Sequence, residues 1–144
     1  MDEFFVNEII SIKKILQSHF NDYAKDFNLK GSEIKLIHIL SLTGEESQAE
    51  LAKRMDCDKA HIHRIVIKLL FKKIICFDDI KKDNCRNIKI KLSKHGHEIA
   101  DKVNKKMEEW KSKIIQGVNL EDLEATRRLF AQVVNNLNKE KNNA

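Results

Sequence analysis

Residues 47–75 read SQAELAKRMDCDKAHIHRIVIKLLFKKII, a pattern that predicts two helices joined by a tight turn. Ser47 and Glu50 fit a capping box, in which each side chain accepts a hydrogen bond from the backbone N–H of the other residue. The helix that begins there is expected to end at residues 56–58, and Asp58 is a good N-cap for the second helix. We therefore expect a helix-turn-helix in this stretch.

The second helix, called the recognition helix below, is expected to run from residue 59 to residue 72. Its apolar residues recur at spacings of three and four, which is typical of a buried stripe. The stripe consists of Ile62, Ile65, Val66 and Leu69. The residues expected to point outward are Ala60, His61, Arg64 and Lys68, with His63 on the flank. Hydrogen-bond donors on an exposed helix face suit the DNA major groove, where Arg can make paired hydrogen bonds to guanine.

Two short strands are predicted after this helix, over residues 75–77 and 88–92, and the second alternates apolar and polar residues. The polar stretch 78–87 between them is long enough to form the loop of a hairpin. This hairpin would be a wing beside the recognition helix. Residues 44–46, which precede the capping box, are expected to be a turn.

In their order and spacing, these features resemble the MarR family of winged helix-turn-helix transcriptional regulators over nearly the whole chain. The stretch IKIKLSKHG at residues 88–96 is similar to the family's strand ending in Leu-Thr-x-x-Gly, with Ser93 in place of the Thr. The resemblance implies a mainly α fold with a small β-hairpin wing. It also implies three segments: an N-terminal helix over 1–31 that is part of the dimerisation region, a winged helix-turn-helix DNA-binding domain over 32–93, and C-terminal dimerisation helices over 94–144.

Three positions depart from the family pattern. Lys73 stands where the family usually has a Gly that closes the recognition helix, so either Lys73 adopts a left-handed conformation or the helix ends differently. In the wing, Asn84 replaces an Asp that would orient the nearby Arg86, and Asp83 could substitute for it. His63 replaces a common Thr. These departures leave open which bases are read.

The resemblance and the exposed helix face together give a set of candidate DNA-binding residues. His61, His63 and Arg64 are the candidates for base edges, Lys59, Lys68, Lys82 and Lys89 for phosphates, and Arg86 for the adjacent minor groove; Ser47, Ala60 and Asn84 complete the set. By family resemblance, the protein would be a homodimeric repressor. It would bind a palindromic operator in double-stranded DNA and be released or modulated by a small-molecule effector.

The distribution of charge favours a polyanionic partner. The net formal charge is +5, and residues 47–92 carry 12 Lys and Arg against 6 Asp and Glu, whereas residues 1–46 are net acidic. A solvated basic face is the common alternative in lysine-rich proteins. We favour nucleic acid because the excess of positive charge coincides with the helix-turn-helix and the wing.

Amphipathic helices are predicted on both sides of this module. Apolar residues step by three or four over residues 5–27, again over 99–114 and over 120–137, whereas the polar tail 138–144 is expected to fray. Such terminal helices can pack on each other or on a second copy of the chain. A homodimer is favoured because two recognition helices one DNA turn apart read a palindrome.

Other side chains suggest further sites. His19, Tyr23, His38 and Trp110 could line an effector pocket, although core packing is the default role for such residues. Six histidines raise the hypothesis of a metal-sensing regulator, but their spacing does not match a metal-binding helix, so no metal or cofactor is expected. Three cysteines raise a thiol-sensing hypothesis, with Cys85 in the basic wing as the candidate. A bystander thiol is the simpler interpretation.

Several function classes find no support in the sequence. It has no Gly-rich phosphate loop and no nucleophile elbow, so an enzyme is not expected. It has no apolar run of about 18 residues, as a membrane span requires. The acidic start is unlike a secretory signal, and we expect a cytoplasmic protein. The alternative to a DNA-binding regulator is a protein of another functional class, a winged helix used only for protein–protein contact.

Overall fold

The computed structural model of the chain describes residues 3–78 and 88–143, with side chains from residue 5 onward. The helices and strands in these residues are α1 (Glu3–Lys25), α2 (Gly31–Thr43), β1 (Glu45–Glu46), α3 (Gln48–Met55), α4 (Lys59–Phe71), β2 (Ile75–Phe77), β3 (Ile90–Leu92), α5 (Lys94–Ile114) and α6 (Leu120–Asn143). The prediction of a mainly α fold with a small antiparallel β component is confirmed. In the part of the chain that is described, no helix is both long and apolar enough to cross a membrane.

The chain divides into two compact units, residues 1–106 and 107–144. The core of the first unit is formed by side chains from α2 and α4 together with α3, β3 and α5. Its fully buried members include Ile34, Leu36, Ile37, Leu40, Leu51, Ile62, Val66, Leu69, Ile90 and Val103. All four apolar residues of the stripe predicted on the recognition helix, α4, are buried, so that prediction is confirmed. Burial of this stripe fixes which face of α4 meets the solvent.

Both helices of the helix-turn-helix begin at the predicted side-chain caps. The Ser47 hydroxyl accepts a hydrogen bond from the backbone N–H of Glu50 at 3.2 Å. The Asp58 carboxylate accepts one from the backbone N–H of His61 at 2.7 Å. Caps of this kind typically stabilise a helix by about 1 kcal/mol, and they fix the residue at which it begins. Local sequence therefore determines where α3 and α4 start.

The end of α4 resolves the two alternatives that the sequence left open at Lys73. Its φ is +60°, so Lys73 adopts the left-handed conformation. The backbone N–H groups of Lys73 and Ile74 bond to the carbonyl oxygens of Leu70 and Leu69, each at 3.0 Å, which is the Schellman pattern of a helix end. The Ser93 hydroxyl donates to the Lys73 carbonyl at 2.6 Å. This bond ties the end of α4 to the start of α5.

The sheet has three described strands, in the order β1-β3-β2, with both pairs antiparallel. Glu46 lies opposite Ile90, and Cys76 lies opposite Lys91. The expectation of a turn over residues 44–46 is therefore wrong for the two residues of β1. A strand of two residues carries no periodic signal in the sequence, and it forms here because the second edge of β3 supplies backbone hydrogen-bond partners.

The second unit is dominated by α6, which has 24 residues and continues to Asn143. The prediction of a frayed tail from residue 138 is wrong, since the last turns contain Lys and Glu, which are good helix formers. The Asn119 side chain caps the start of the helix by accepting from the backbone N–H of Glu121 at 2.8 Å. None of the side chains described in α6 is buried in the single chain.

Candidate nucleic-acid interface

The exposed face of α4 carries most of the side chains predicted to read DNA. Lys59, Ala60, His63, Arg64 and Lys68 are exposed, and His61 is half-buried. They lie together on one helix whose opposite face is held in the core and whose first turn is capped by Asp58. Five of these six side chains are therefore exposed to solvent and His61 partly so, while their contacts with DNA stay a prediction.

The ion pairing of the cations on α4 differs from that of cations such as Lys89 and Arg54. Among residues 3–78 and 88–143, no carboxylate lies within ion-pair distance of Lys59 or Arg64. Lys68 lies beside Lys30, and contact with that second ammonium lowers the pKa of Lys68. Lys30, the N-cap residue of α2, thus extends the basic surface. Nothing in the sequence places residue 30 next to residue 68, so this part of the surface could not be predicted.

Lys89, predicted to contact a phosphate, is paired with a carboxylate of the protein itself. Its Nζ lies 2.8 Å from Oε1 of Glu50, and the two side chains are 36% and 46% exposed. Hydrogen bonding to Glu46 and then to Lys89 lowers the pKa of Glu50 to about 2. The same ion pair raises the pKa of Lys89. Both groups are therefore fully charged at neutral pH.

A second carboxylate, Glu46 on β1, is almost completely buried next to this ion pair. The Arg54 Nε donates to its Oε1 at 2.7 Å. Hydrogen bonding to Glu50, followed by burial, raises the pKa of Glu46, while Arg54 acts in the opposite direction. Because Glu46 was expected to lie in a turn, this contact was not predicted.

The other predicted DNA-binding residues lie at the start of α3 and in the wing. Ser47 is buried, and its hydroxyl is engaged in the cap of α3. Lys82, Asn84 and Arg86, as well as Cys85, lie outside the described residues. The roles predicted for these residues stay predictions.

Tyr23, predicted to line an effector pocket, is a half-buried residue of α1 that contacts α5. Its hydroxyl donates to the backbone carbonyl of Lys102 at 3.2 Å. Its ring packs edge-on against Phe27, with 5.4 Å between the ring centroids, and Lys106 Nζ lies 4.8 Å from the Tyr23 centroid. These contacts hold the ring in a defined orientation against α5.

His38, a second candidate for the pocket, contacts α5 from α2. Its Nδ1 lies 2.8 Å from Oδ1 of Asn104, and the amide nitrogen of Asn104 donates to the Ser41 hydroxyl at 3.2 Å. Tyr23 and His38 therefore both hydrogen-bond to the same turn of α5, residues 102–104. His19 is exposed on α1, and Trp110 is half-buried in the second unit.

The metal- and thiol-sensing hypotheses can be examined at the residues that are described. Over residues 3–78 and 88–143, no three His, Cys, Asp or Glu side chains are grouped as metal ligands. Cys57 is half-buried, and burial raises the pKa of its thiol, which leaves less of the reactive thiolate at neutral pH. Cys76 is also half-buried.

Comparison with solved structures identifies the fold. A MarR protein from Peptoclostridium difficile matches with a TM-score of 0.83 and 14% identity, over 97% of this chain and 91% of that one. Staphylococcus aureus MarR in complex with salicylate and kanamycin matches with a TM-score of 0.83 and 15% identity, over 94% and 91%. The Staphylococcus aureus MepR–DNA complex matches with a TM-score of 0.82 and 14% identity, over 94% and 99%. No protein-family model matches the sequence.

Proposed function

We propose that this chain, which has the winged helix fold of the MarR-family transcriptional regulators, is a sequence-specific DNA-binding regulator. The observation that carries the proposal is the presentation of α4. Four buried residues and the Asp58 cap fix this helix, while Lys59 and Arg64 on its outer face have no ion-pair partner among the described residues. Cations held outward on a rigid helix are available to DNA without first breaking an internal contact.

In the proposed complex, the N-terminal half of α4 lies in the major groove. Arg64 would make paired hydrogen bonds to a guanine, and His61 and His63 would contact neighbouring base edges. Lys59 and Lys68 would contact phosphates, and Lys30 would add a further cation to the same side. The wing residues Lys82, Asn84 and Arg86 would reach the adjacent minor groove and its phosphates. The S. aureus MepR–DNA complex supports DNA as the ligand of this fold.

We propose a homodimer as the functional unit. The α6 helix exposes several large apolar side chains in the single chain, including Leu129 at 49%, Val134 at 55% and Leu137 at 63%. A helix with such a stripe needs a partner surface, because leaving it in water forgoes the burial that normally stabilises an amphipathic helix. A second copy would place two recognition helices on one duplex, so the operator would be a palindrome.

We further propose that the protein acts as a repressor under the control of a small molecule. The contacts of Tyr23 and His38 with α5 would place an effector site where the helices that lead to the DNA-binding module meet α5. The salicylate complex of S. aureus MarR supports small-molecule binding by this fold. An effector could shift the regulator only by the difference between its affinities for the DNA-binding and the released conformations.

Selection of bound duplexes from a random DNA library tests the proposal. We expect enrichment of a palindrome with half-sites about 10 bp apart, centre to centre. Affinity for the enriched duplex should exceed affinity for random duplexes by roughly 10³-fold or more. Failure to enrich any sequence, with only weak and steeply salt-dependent binding, would instead assign the basic surface to non-specific contact. In that case a protein partner would become the leading alternative.

A further inference from the structure

Four charged side chains form one connected group at the junction of β1, α3 and β3. Glu46 bonds to Arg54 at 2.7 Å and interacts with Glu50, which in turn pairs with Lys89 at 2.8 Å. We call this group the junction cluster. It contains two cations of the basic stretch 47–92, and each is matched by a carboxylate of the same protein.

We propose that Glu50 is an internal competitor for the phosphate contact of Lys89, so that it reduces the number of phosphates the protein neutralises on any DNA sequence. This inference rests on the proposed function. The sequence predicted a phosphate contact for Lys89. In the structure the Lys89 ammonium group is instead paired with the Glu50 carboxylate.

The position of Glu50 explains why this competition is effective. Ion pairs between flexible surface side chains contribute little, because both side chains lose freedom on pairing. Glu50 is held by its place in the first turn of α3, where its backbone N–H donates to the Ser47 hydroxyl at 3.2 Å and its side chain interacts with the buried Glu46. Arg54 holds Glu46 from the other side. The carboxylate that faces Lys89 is thus already in place before any DNA arrives.

The ionisation of the group agrees with this assignment. The pKa of Glu50 is lowered to about 2, so its carboxylate carries a full negative charge throughout the neutral range. A phosphate that approaches Lys89 therefore meets a fixed negative charge. Lys89 must either leave Glu50 or share its hydrogen-bond donors between two anions. Lys59 and Arg64 on α4 face no such competition from the described carboxylates.

The proposed consequence is a lower affinity for non-specific DNA. Binding to random DNA depends almost wholly on phosphate neutralisation, and a genome offers a large excess of random sites. When one cation of each protomer forms an ion pair within the protein, the regulator binds those random sites less tightly. Base contacts from α4 do not involve Glu50, so they are retained.

The variant Glu50→Gln tests the inference because it changes charge with little change in structure. Gln serves as well as Glu at this position of a capping box, so α3 should keep its cap. Affinity for a random-sequence duplex is measured as a function of salt concentration. We expect the slope of log K against log salt to become steeper by about 0.9 for each protomer bound, the value for one additional phosphate contact. Between about 50 and 200 mM salt, that slope adds roughly a threefold fall in affinity per protomer.

Two further variants make the result specific to Lys89. Glu50→Gln combined with Lys89→Gln should return the slope to that of the wild-type protein, because the released cation is gone. Glu45→Gln removes a charge from the neighbouring exposed residue of β1, which has no ion pair with Lys89 among the described contacts, and should change the slope much less. Thermal unfolding of each variant verifies that it is folded at the temperature of the binding assay.

The outcomes separate the inference from the proposed function. A wild-type slope in Glu50→Gln, or equal effects of Glu50→Gln and Glu45→Gln, would overturn the role assigned to Glu50 while leaving DNA binding intact. Absence of binding by folded wild-type protein to any duplex at low salt would overturn the proposed function itself. A steeper slope that requires Lys89 would establish the competition.

Discussion

At the scale of single residues, the cations of this surface differ in what they already bind. Lys59 and Arg64 on α4 have no described ion pair, whereas Lys89 is bound to Glu50 and Lys91 lies 3.1 Å from the Asp78 carboxylate. A count of basic residues therefore overstates the charge that DNA would meet. Lys59 and Arg64, both predicted to contact DNA, are among the described cations without an ion pair, as are Lys53 and Lys73.

Glu46→Gln should make folding stability less dependent on pH. The hydrogen bond with Glu50 and burial raise the pKa of Glu46, so the folded protein holds this proton to a higher pH than the unfolded chain does. The stabilisation from Glu46 is thus fully present below the ordinary glutamate pKa and is lost as pH rises through the raised value. Glu50, whose pKa is lowered to about 2, stays ionised over this window.

Urea denaturation of both proteins at several pH values between about 5 and 8 measures this effect. The free energy of unfolding of the wild type, taken relative to Glu46→Gln, is expected to fall as pH rises. Parallel curves for the two proteins would show that Glu46 does not exchange its proton in this range, contrary to the prediction.

Comparison of the helix caps with the ion pairs shows which contacts can be predicted from a sequence. The capping bonds of Ser47 and Asp58 join residues three apart, so the sequence alone predicted them. The contact of Glu50 with Lys89 joins residues 39 apart in the chain, and that of Glu46 with Arg54 starts from a two-residue strand. Neither feature has a sequence signature, so the partners of these carboxylates could not be predicted.

At the scale of elements, three helices end on a left-handed residue other than glycine. Asn28 follows α1, Asp56 follows α3, and Lys73 follows α4, with φ between +50° and +60°. Asn and Asp adopt this conformation at moderate cost because their short side chains hydrogen-bond locally, but Lys has no such compensation. The end of the recognition helix is therefore the most strained of the three.

Lys73→Gly should stabilise the protein by about 0.5–1 kcal/mol. Relief of left-handed strain of roughly 1–2 kcal/mol exceeds the added entropy of a glycine in the unfolded chain, about 0.5–1 kcal/mol. The bond from the Ser93 hydroxyl is to the backbone carbonyl of residue 73, so it is retained. The free energy of unfolding in urea provides the measurement.

Gly117→Ala is the converse control for this prediction. Gly117 has φ +79° and open space around it, so an added methyl group should destabilise through backbone conformation alone. If Lys73→Gly lowered the free energy of unfolding, strain at the end of α4 would not be the controlling effect.

Periodicity explains how far the elements could be predicted. The apolar stripe of α4 repeats over two turns and predicted both the helix and its buried face. The tail after residue 138 lacks apolar residues and was expected to fray, but it continues α6 to Asn143. Helix propensity without an amphipathic pattern is a weak signal, and here it decides the structure of the tail.

At the scale of the whole molecule, the apolar stripe of α6 predicts self-association. The double variant Val134→Glu and Leu137→Glu places two charges on this stripe and should convert a dimer into a monomer, because charged groups would be buried without partners. Asn135→Glu adds a charge to an exposed polar position of the same helix and should leave the dimer intact. Sedimentation equilibrium of the three proteins distinguishes these outcomes. A wild-type protein that is monomeric at micromolar concentration would contradict the homodimer.

The fold of the first unit could be predicted from the sequence because a capped, periodic helix-turn-helix is specified locally. The partner of α6 could not, since an amphipathic helix looks the same whether it packs on its own chain or on a second one. The identity of the DNA bases that the protein reads could not be predicted from the sequence either, because His63 and Asn84 depart from the pattern of the family that the chain resembles. Both questions are answered by the DNA that the protein selects.

Parallel selection from a random duplex library by the wild-type protein and by Arg64→Ala tests the central claim most directly, with Lys68→Ala as the control. We expect the wild-type protein to select a palindrome. Arg64→Ala should lose preference at one base pair, at the symmetric position of both half-sites, with a cost of about 1–3 kcal/mol. Lys68→Ala should weaken binding to all sequences and leave the motif unchanged. An Arg64→Ala motif identical to that of the wild type, with equal loss on every sequence, would contradict the assignment of α4 as the helix that reads DNA.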